Sequence, residues 1–88
     1  MVEQVVTIQN RAGIHARPSA MLVELAKDFN SNIYLEKGND RINGKSIMGI
    51  LTLGASYGAE IKVIAEGEDE QAALEAMVAL FAKKFEEE

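Results

Sequence analysis

The sequence contains no cysteine and no tryptophan, only one proline and one histidine, and aromatic residues make up 6% of its 88 residues. The absence of cysteine excludes disulfide bonds, thiolate metal sites and thiol nucleophiles, and it is compatible with a reducing cytoplasm. A chain of this length forms one small domain, which we expect to span residues 1–88 and to be stabilised by the packing of a modest core.

Long apolar runs are also missing. No stretch approaches the roughly 18 apolar residues that a membrane-spanning helix needs, and the first residues lack the basic and apolar segments of a secretory signal. We therefore expect a cytoplasmic protein with no direct membrane insertion.

The net charge of the chain is −5, with a pI near 4.8. An acidic protein is a poor partner for nucleic acid, because that binding depends on the neutralisation of phosphates by basic side chains. The acidic excess lies at one end, since residues 66–88 hold eight acidic and two basic residues, whereas residues 1–65 hold six and seven. A local anion site in residues 1–65 is consistent with this distribution.

The single histidine lies within residues 11–19, which read Arg-Ala-Gly-Ile-His-Ala-Arg-Pro-Ser. Pro18 suits the first turn of a helix, so the backbone N–H groups around Ala16 and Arg17 should point outward, unpaired, and bind an anion. The Arg17 guanidinium is a planar fork that fits phosphate oxygens. An isolated histidine is more often a surface or capping residue without chemistry. In this setting His15 indicates a nucleophile that forms a phosphoramidate, from which a second acceptor takes the phosphate.

Hydropathy periodicity predicts seven elements in the order β-α-β-β-α-β-α. Apolar residues alternate near the start of the chain, around Tyr34 and Ile42, and again from 61 to 65, where we expect a strand with one solvent-exposed face. Helical spacing is found from Ala16 to about Phe29 and in two later segments. This pattern favours a four-stranded sheet covered by helices on one face.

The last helix is predicted to begin at Asp69, whose side chain should cap it. Lys83 and Lys84 fall in its expected last turn, where positive charge complements the helix dipole. Its apolar stripe is predicted to contain Leu74, Met77, Val78, Phe81 and Phe85, and residues 86–88 should fray.

The short helix between the third and fourth strands has Ser46 as its predicted N-cap and Gly54 as its left-handed terminator. Spacing alone favours burial of Ile47, Met48 and Leu51 on one face. A short helix cannot bury every side, however.

Two separated motifs resemble those of the HPr family, the histidine-containing phosphocarrier proteins of the bacterial sugar phosphotransferase system. These are Gly-Ile-His-Ala-Arg-Pro at 13–18 and Lys-Ser-Ile-Met-Gly at 45–49, followed by Leu-Gly at 53–54. The resemblance implies an α+β open-faced β-sandwich in which three helices cover one face of a four-stranded antiparallel sheet. It also implies a monomer without a cofactor or a bound metal, a phosphocarrier rather than a turnover enzyme.

The same resemblance implies roles for particular residues. Nδ1 of His15 would carry the phosphate between enzyme I and an enzyme IIA component, and Arg17 would stabilise its charge. An exposed apolar patch of Ile47, Met48 and Leu51 would dock these partners, so we predict that Met48 points outward and Ile50 inward. In many bacteria a serine kinase/phosphorylase modifies the residue that matches Ser46, and a transcriptional regulator reads that modification.

Three alternatives stay open at this point. A nitrogen-branch phosphocarrier would pass its phosphate to a regulatory acceptor, and a purely regulatory protein would use phosphoserine alone, although His15 and Arg17 argue against the latter. A metal carrier is the weakest alternative, because one histidine and no cysteine cannot build a site. Glu24 departs from the family, whose members commonly have a neutral or basic residue there. This departure weakens a basic docking ring and leaves the choice of partner open.

Overall fold

The computed structural model describes residues 1–86 and contains the predicted order of elements. The strands are β1 (Val2–Thr7), β2 (Asn32–Lys37), β3 (Asp40–Asn43) and β4 (Glu60–Glu66), and the helices are α1 (Ala16–Ala26), α2 (Ile47–Thr52) and α3 (Glu70–Ala82), followed by a 3₁₀ turn (Lys84–Glu86). All strand pairs are antiparallel, in the spatial order β1-β4-β2-β3. The predicted α+β class is thus confirmed.

The core lies between the helices and one face of the sheet. Its largest fully buried side chains come from every layer and include Leu22, Ile33, Leu35, Ile50, Ile61, Met77, Phe81 and Phe85. The helix α1 packs against both α2 and α3, and α3 also packs on β1 and β4. Within residues 1–86, no helix is both long enough and apolar enough to cross a membrane.

The other face of β4 is less exposed than predicted, because Ile64 is completely buried. The strand is central in the sheet, and Ile64 is paired with Glu3 on one side and Tyr34 on the other. On the neighbouring position of the same face, Lys62 bridges Glu3 and Glu36, each at 3.6 Å. Long side chains on the two flanking strands thus exclude water from Ile64. The alternation of residues along β4 alone cannot predict this burial, because it depends on the neighbouring strands.

The helix α1 ends at Ala26, three residues before the predicted boundary. After Ala26 the chain continues as a tighter turn, because the N–H groups of Asp28 and Phe29 donate to carbonyls three residues back rather than four. Lys45 Nζ then donates to the carbonyl of Phe29 at 2.8 Å. A contact from a distant part of the chain therefore helps to fix where the helix stops.

Asp69 lies at the N-cap position of α3, but the prediction that its side chain caps the helix is wrong. Its carboxylate accepts hydrogen bonds from the N–H groups of Asn30 and Ser31, each at 2.9 Å, and from the Ser31 hydroxyl at 2.5 Å. The Ser31 hydroxyl and the Asn30 N–H hold the pKa of Asp69 below its ordinary value of 3.8. Asp69 thus ties the start of α3 to the segment that leads into β2.

The end of α3 also differs from the prediction. The helix stops at Ala82, so Lys83 occupies the C-cap and Lys84 lies beyond it rather than in the last turn. Lys84, Phe85 and Glu86 follow with φ of 56°, 53° and 61°, a left-handed turn. The Phe85 ring is nevertheless buried, edge-on to Phe81 with centroids 5.1 Å apart. Of the residues predicted to fray, Glu86 belongs to this turn and its N–H donates to the carbonyl of Lys83 at 2.9 Å, while 87–88 lie outside the described residues.

Candidate functional site

The helix α1 presents His15 at its N-terminus, as predicted. His15 is the exposed N-cap residue with an extended backbone, and Pro18 lies in the first turn. The His15 carbonyl accepts hydrogen bonds from the N–H of Ser19 at 3.0 Å and from its hydroxyl at 2.8 Å. The buried Ser19 therefore fixes the junction between the loop and the helix. Anion binding by the N–H groups of Ala16 and Arg17 stays a prediction.

The loop that leads into His15 is held by close contacts around Gly13. The glycine has φ +73°, and a Cβ atom there would lie 2.7 Å from the carbonyl oxygen of Ala55 and 2.8 Å from Cα of Ser56. Next to it, the N–H of Ile14 donates to the same Ala55 carbonyl at 3.0 Å. Only glycine fits this position without displacing the segment after α2, because both the backbone angle and the space exclude a side chain.

Asn10 is a buried residue of this loop that the sequence analysis did not single out. Its Nδ2 donates to the carbonyl of Gly13 at 2.7 Å, and the N–H of Gly13 donates back to the carbonyl of Asn10 at 3.1 Å. The N–H of His15 donates to the same Gly13 carbonyl at 3.2 Å. The only signal in the sequence was a turn-forming asparagine three residues before a glycine.

Arg17 lies two residues after His15 and is also exposed. Its guanidinium donates to the carbonyl of Phe85 at 3.0 Å, so the left-handed turn after α3 directs this side chain. Periodicity had placed Phe85 within α3 and could not predict the contact. A carbonyl acceptor takes up one of the five guanidinium donors without contributing a negative charge. The role of Arg17 toward a phosphoryl group remains a prediction.

Glu24, the departure from the family pattern, is exposed on α1 and lines a groove between α1 and α3 of about 580 Å³. The groove also includes Arg17, Lys83 and mainly apolar side chains such as Met21 and Leu80. An acidic side chain thus shares a surface with the arginine beside His15.

The helix α2 carries the second predicted site. Ser46 is its N-cap, and its hydroxyl accepts a hydrogen bond from the N–H of Gly49 at 3.0 Å, which confirms the predicted cap. Gly54 follows the helix with φ +60°, as expected of a left-handed terminator.

The apolar residues of α2 divide between core and surface. Ile50 is completely buried, whereas Met48 is 71% exposed, which confirms the predicted orientation of both. Ile47 and Leu51 are 43% and 38% exposed, so the burial of all three that spacing favoured is wrong. A six-residue helix that packs on α1 and β3 covers only its inner side. We call Ile47, Met48 and Leu51 the α2 patch. Its exposure satisfies a requirement of docking, which remains a prediction.

No metal site is evident in the part of the chain that the structure describes, because no three His, Cys, Asp or Glu side chains come together there. The site brings together an exposed imidazole, a guanidinium and the N-terminus of a helix.

Comparisons with known proteins agree with this arrangement. A family model described as "PTS HPr component phosphorylation site" matches residues 2–83. The chain is 49% identical over 88 residues to the phosphocarrier protein HPr of Treponema pallidum, and the match covers all of both chains. It is 47% identical over 79 residues to the HPr-like protein Crh of Bacillus subtilis, and that match covers 90% of this chain and 93% of Crh.

Solved structures show the same fold. The crystal structure of HPr-C-His from Thermoanaerobacter tengcongensis has a TM-score of 0.96 at 49% identity and covers 100% of this chain and 99% of that one. A structure described as an HPr dimer from the same organism has a TM-score of 0.78 at 48% identity, with coverage of 97% and 98%.

Proposed function

The chain belongs to the HPr family of phosphocarrier proteins of the phosphotransferase system, and from this premise we propose that it carries phosphate on His15 from enzyme I to an enzyme IIA component of a sugar permease. The observation that carries the proposal is the exposure of His15 as the N-cap of α1, two residues before Arg17. Because His15 is exposed, both the phosphate donor and the phosphate acceptor can reach it.

The proposed chemistry consists of two transfers. A ring nitrogen of His15, Nδ1 by the family resemblance, attacks phosphorus, and the bond from phosphorus to the donor breaks as the P–N bond forms. In the second transfer a nucleophile on the acceptor attacks, and the imidazole leaves. Positioning and charge stabilisation dominate such reactions, and Arg17 together with the N-terminus of α1 would stabilise the phosphoryl oxygens.

Docking is proposed to occur at the α2 patch. The patch is apolar and exposed, and α2 packs directly against α1, which carries His15. Its most exposed member, Met48, suits a surface that binds two different partners in turn, because an unbranched thioether adapts to differently shaped contacts. Glu24 adds an acidic side chain near Arg17 and would favour partners with a complementary charge.

A relay assay tests the proposed function. Phosphoenolpyruvate, enzyme I and an enzyme IIA are mixed with catalytic amounts of this protein, and phosphate on enzyme IIA is measured over time. We expect transfer with the wild-type chain, none with His15→Ala, and slower transfer with Arg17→Ala, since the arginine would supply one or two charge-assisted bonds of about 1.5–3 kcal/mol each. Phosphate reaching enzyme IIA at the wild-type rate with His15→Ala would refute the proposal.

We further propose that Ser46 is a regulatory site that a serine kinase/phosphorylase modifies and a transcriptional regulator reads. A phosphate there adds about −1.5 to −2 charge at the N-terminus of α2, where the fold tolerates it, and beside Ile47 and Met48. The dianion would impair docking at the patch through desolvation and repulsion. Ser46→Asp should keep the melting temperature at or above the wild-type value and slow the phosphorylation of His15. An unchanged rate at all enzyme I concentrations would leave Ser46 as a cap only.

Two further features of the proposal have direct tests. The purely regulatory alternative needs Ser46 but not His15, so the relay assay distinguishes it. The relay assay can be repeated with a nitrogen-branch acceptor in place of the enzyme IIA of a sugar permease. Comparing the two transfer rates shows which kind of acceptor this protein serves. We propose a monomeric carrier, although structures of two similar proteins, an HPr and Crh, are described as dimers. Sedimentation equilibrium would measure the mass in solution.

A further inference from the structure

We infer that Asn10 is a positioning residue for His15. The side chain of Asn10 is completely buried, and its Nδ2 donates to the carbonyl oxygen of Gly13 at 2.7 Å. That oxygen also accepts the N–H of His15 at 3.2 Å. One carbonyl thus links the buried amide directly to the backbone of the residue that carries the phosphate. The inference rests on the proposed role of His15.

The backbone contacts make this link specific. The N–H of Gly13 donates back to the carbonyl of Asn10 at 3.1 Å, so the two residues are joined in both directions. A hydrogen bond from His15 back to Gly13 spans two residues and closes a tight turn around Ile14, whose own N–H is held by Ala55 at 3.0 Å. The orientation of the His15 backbone is therefore determined on one side by Asn10 and on the other by Ser19 in the first turn of α1.

The chemistry of the contact requires a hydrogen-bond donor at position 10. The acceptor is a carbonyl oxygen, so the side chain at position 10 must offer an N–H or O–H donor at 2.7 Å. Alanine removes the donor, and an ionised aspartate would place an acceptor against an acceptor. Without the donor, the Gly13 carbonyl loses a buried partner, and the turn gains freedom where phosphoryl transfer requires a fixed nucleophile.

A kinetic comparison tests the positioning role. Phosphorylation of the full chain by enzyme I and phosphoenolpyruvate is followed to obtain kcat and KM for wild type, Asn10→Ala and Ser31→Ala. Ser31 is a matched control, because it is also buried and hydrogen-bonded, but to Asp69 rather than to the His15 loop. We expect Asn10→Ala to lower kcat at least about fivefold with KM unchanged within about twofold, since the α2 patch is intact. Ser31→Ala should change neither, even where it lowers the melting temperature.

A measurement on the wild-type chain covers the case in which Asn10→Ala does not fold. Hydrogen exchange of the Asn10 side-chain amide and of the His15 backbone amide is followed by NMR. Strong protection of the Asn10 amide supports the inference, and exchange at the rate of an exposed asparagine overturns it. A folded Asn10→Ala variant with wild-type kcat, or an equal loss of kcat in Ser31→Ala, also overturns it. If the wild-type chain accepts no phosphate, the proposed function fails, and the exchange measurement alone decides the positioning of His15.

Discussion

Replacement of Gly13 by alanine isolates the part of the fold that shapes the His15 loop. At φ +73° an alanine adopts a left-handed conformation, at a cost of about 1–2 kcal/mol. Its Cβ would also lie 2.7 Å from the Ala55 carbonyl oxygen and 2.8 Å from Cα of Ser56. Both contacts are with backbone atoms that no side-chain rotation relieves, and such overpacking costs about 1–3 kcal/mol more. We expect Gly13→Ala to lower the free energy of unfolding by about 2–5 kcal/mol.

Gly38→Ala is the matched control, because Gly38 has φ +60° but, within residues 1–86 and apart from its two chain neighbours, no atom lies within 4 Å of the point that its Cβ would occupy. It should show the conformational cost alone, about 1–2 kcal/mol. Urea unfolding, followed by circular dichroism at one pH and temperature, gives both values. The reasoning predicts that Gly13→Ala is the more destabilised variant and also transfers phosphate more slowly. Equal losses of stability in the two variants would show that the close approach to Ala55 contributes nothing.

Three further changes test other contacts. Met48→Asp should weaken docking to enzyme I, seen as a raised KM, with little change in melting temperature, because the side chain is already 71% exposed; a large loss of stability would place Met48 in the core. Ser46→Ala should lower the free energy of unfolding by about 1 kcal/mol, since the bond to the N–H of Gly49 is lost, and an unchanged urea midpoint would contradict the cap. The pKa of Asp69 is lowered in the folded state, so the stability that its carboxylate contributes is present above pH 3.8 and is lost as pH falls through the lowered pKa. The difference in unfolding free energy between wild type and Asp69→Asn should therefore shrink as pH falls over that range. A difference that does not depend on pH would refute this role of Asp69.

Features that depend on local sequence were predictable. Period-two and helical spacing identified all seven main elements, and the cap and terminator of α2 followed from Ser46 and Gly54. The position of His15 just before α1 followed from Pro18, because a proline in the first turn identifies the start of a helix. In each case the residues that determine the structure lie within a few positions of one another.

Features that depend on distant partners were not predictable. Asp69 has the sequence position of a cap, yet its carboxylate binds residues 30 and 31, which only the folded chain brings near. Likewise, Phe85 continues the apolar stripe of α3 in sequence, but its ring reaches the core through a left-handed turn whose carbonyl binds Arg17. Periodicity describes one element at a time and contains no information on such contacts.

The functional site shows the same division. Types of residue and their order indicated phosphohistidine chemistry, whereas the contribution of Asn10 required the hydrogen bonds of the folded loop. Spacing alone missed the exposure of Ile47 and Leu51, which the family resemblance implied, because spacing does not reveal how much of a six-residue helix its neighbours cover.

The location of the phosphate is the most direct test of the phosphocarrier function. After incubation with enzyme I and phosphoenolpyruvate, the protein is digested under alkaline conditions and the phosphorylated peptide is sequenced by mass spectrometry. We predict a single acid-labile, base-stable phosphate on His15 and none on the His15→Ala variant. Phosphate on any other residue of the wild-type chain, or on the variant, would contradict that function.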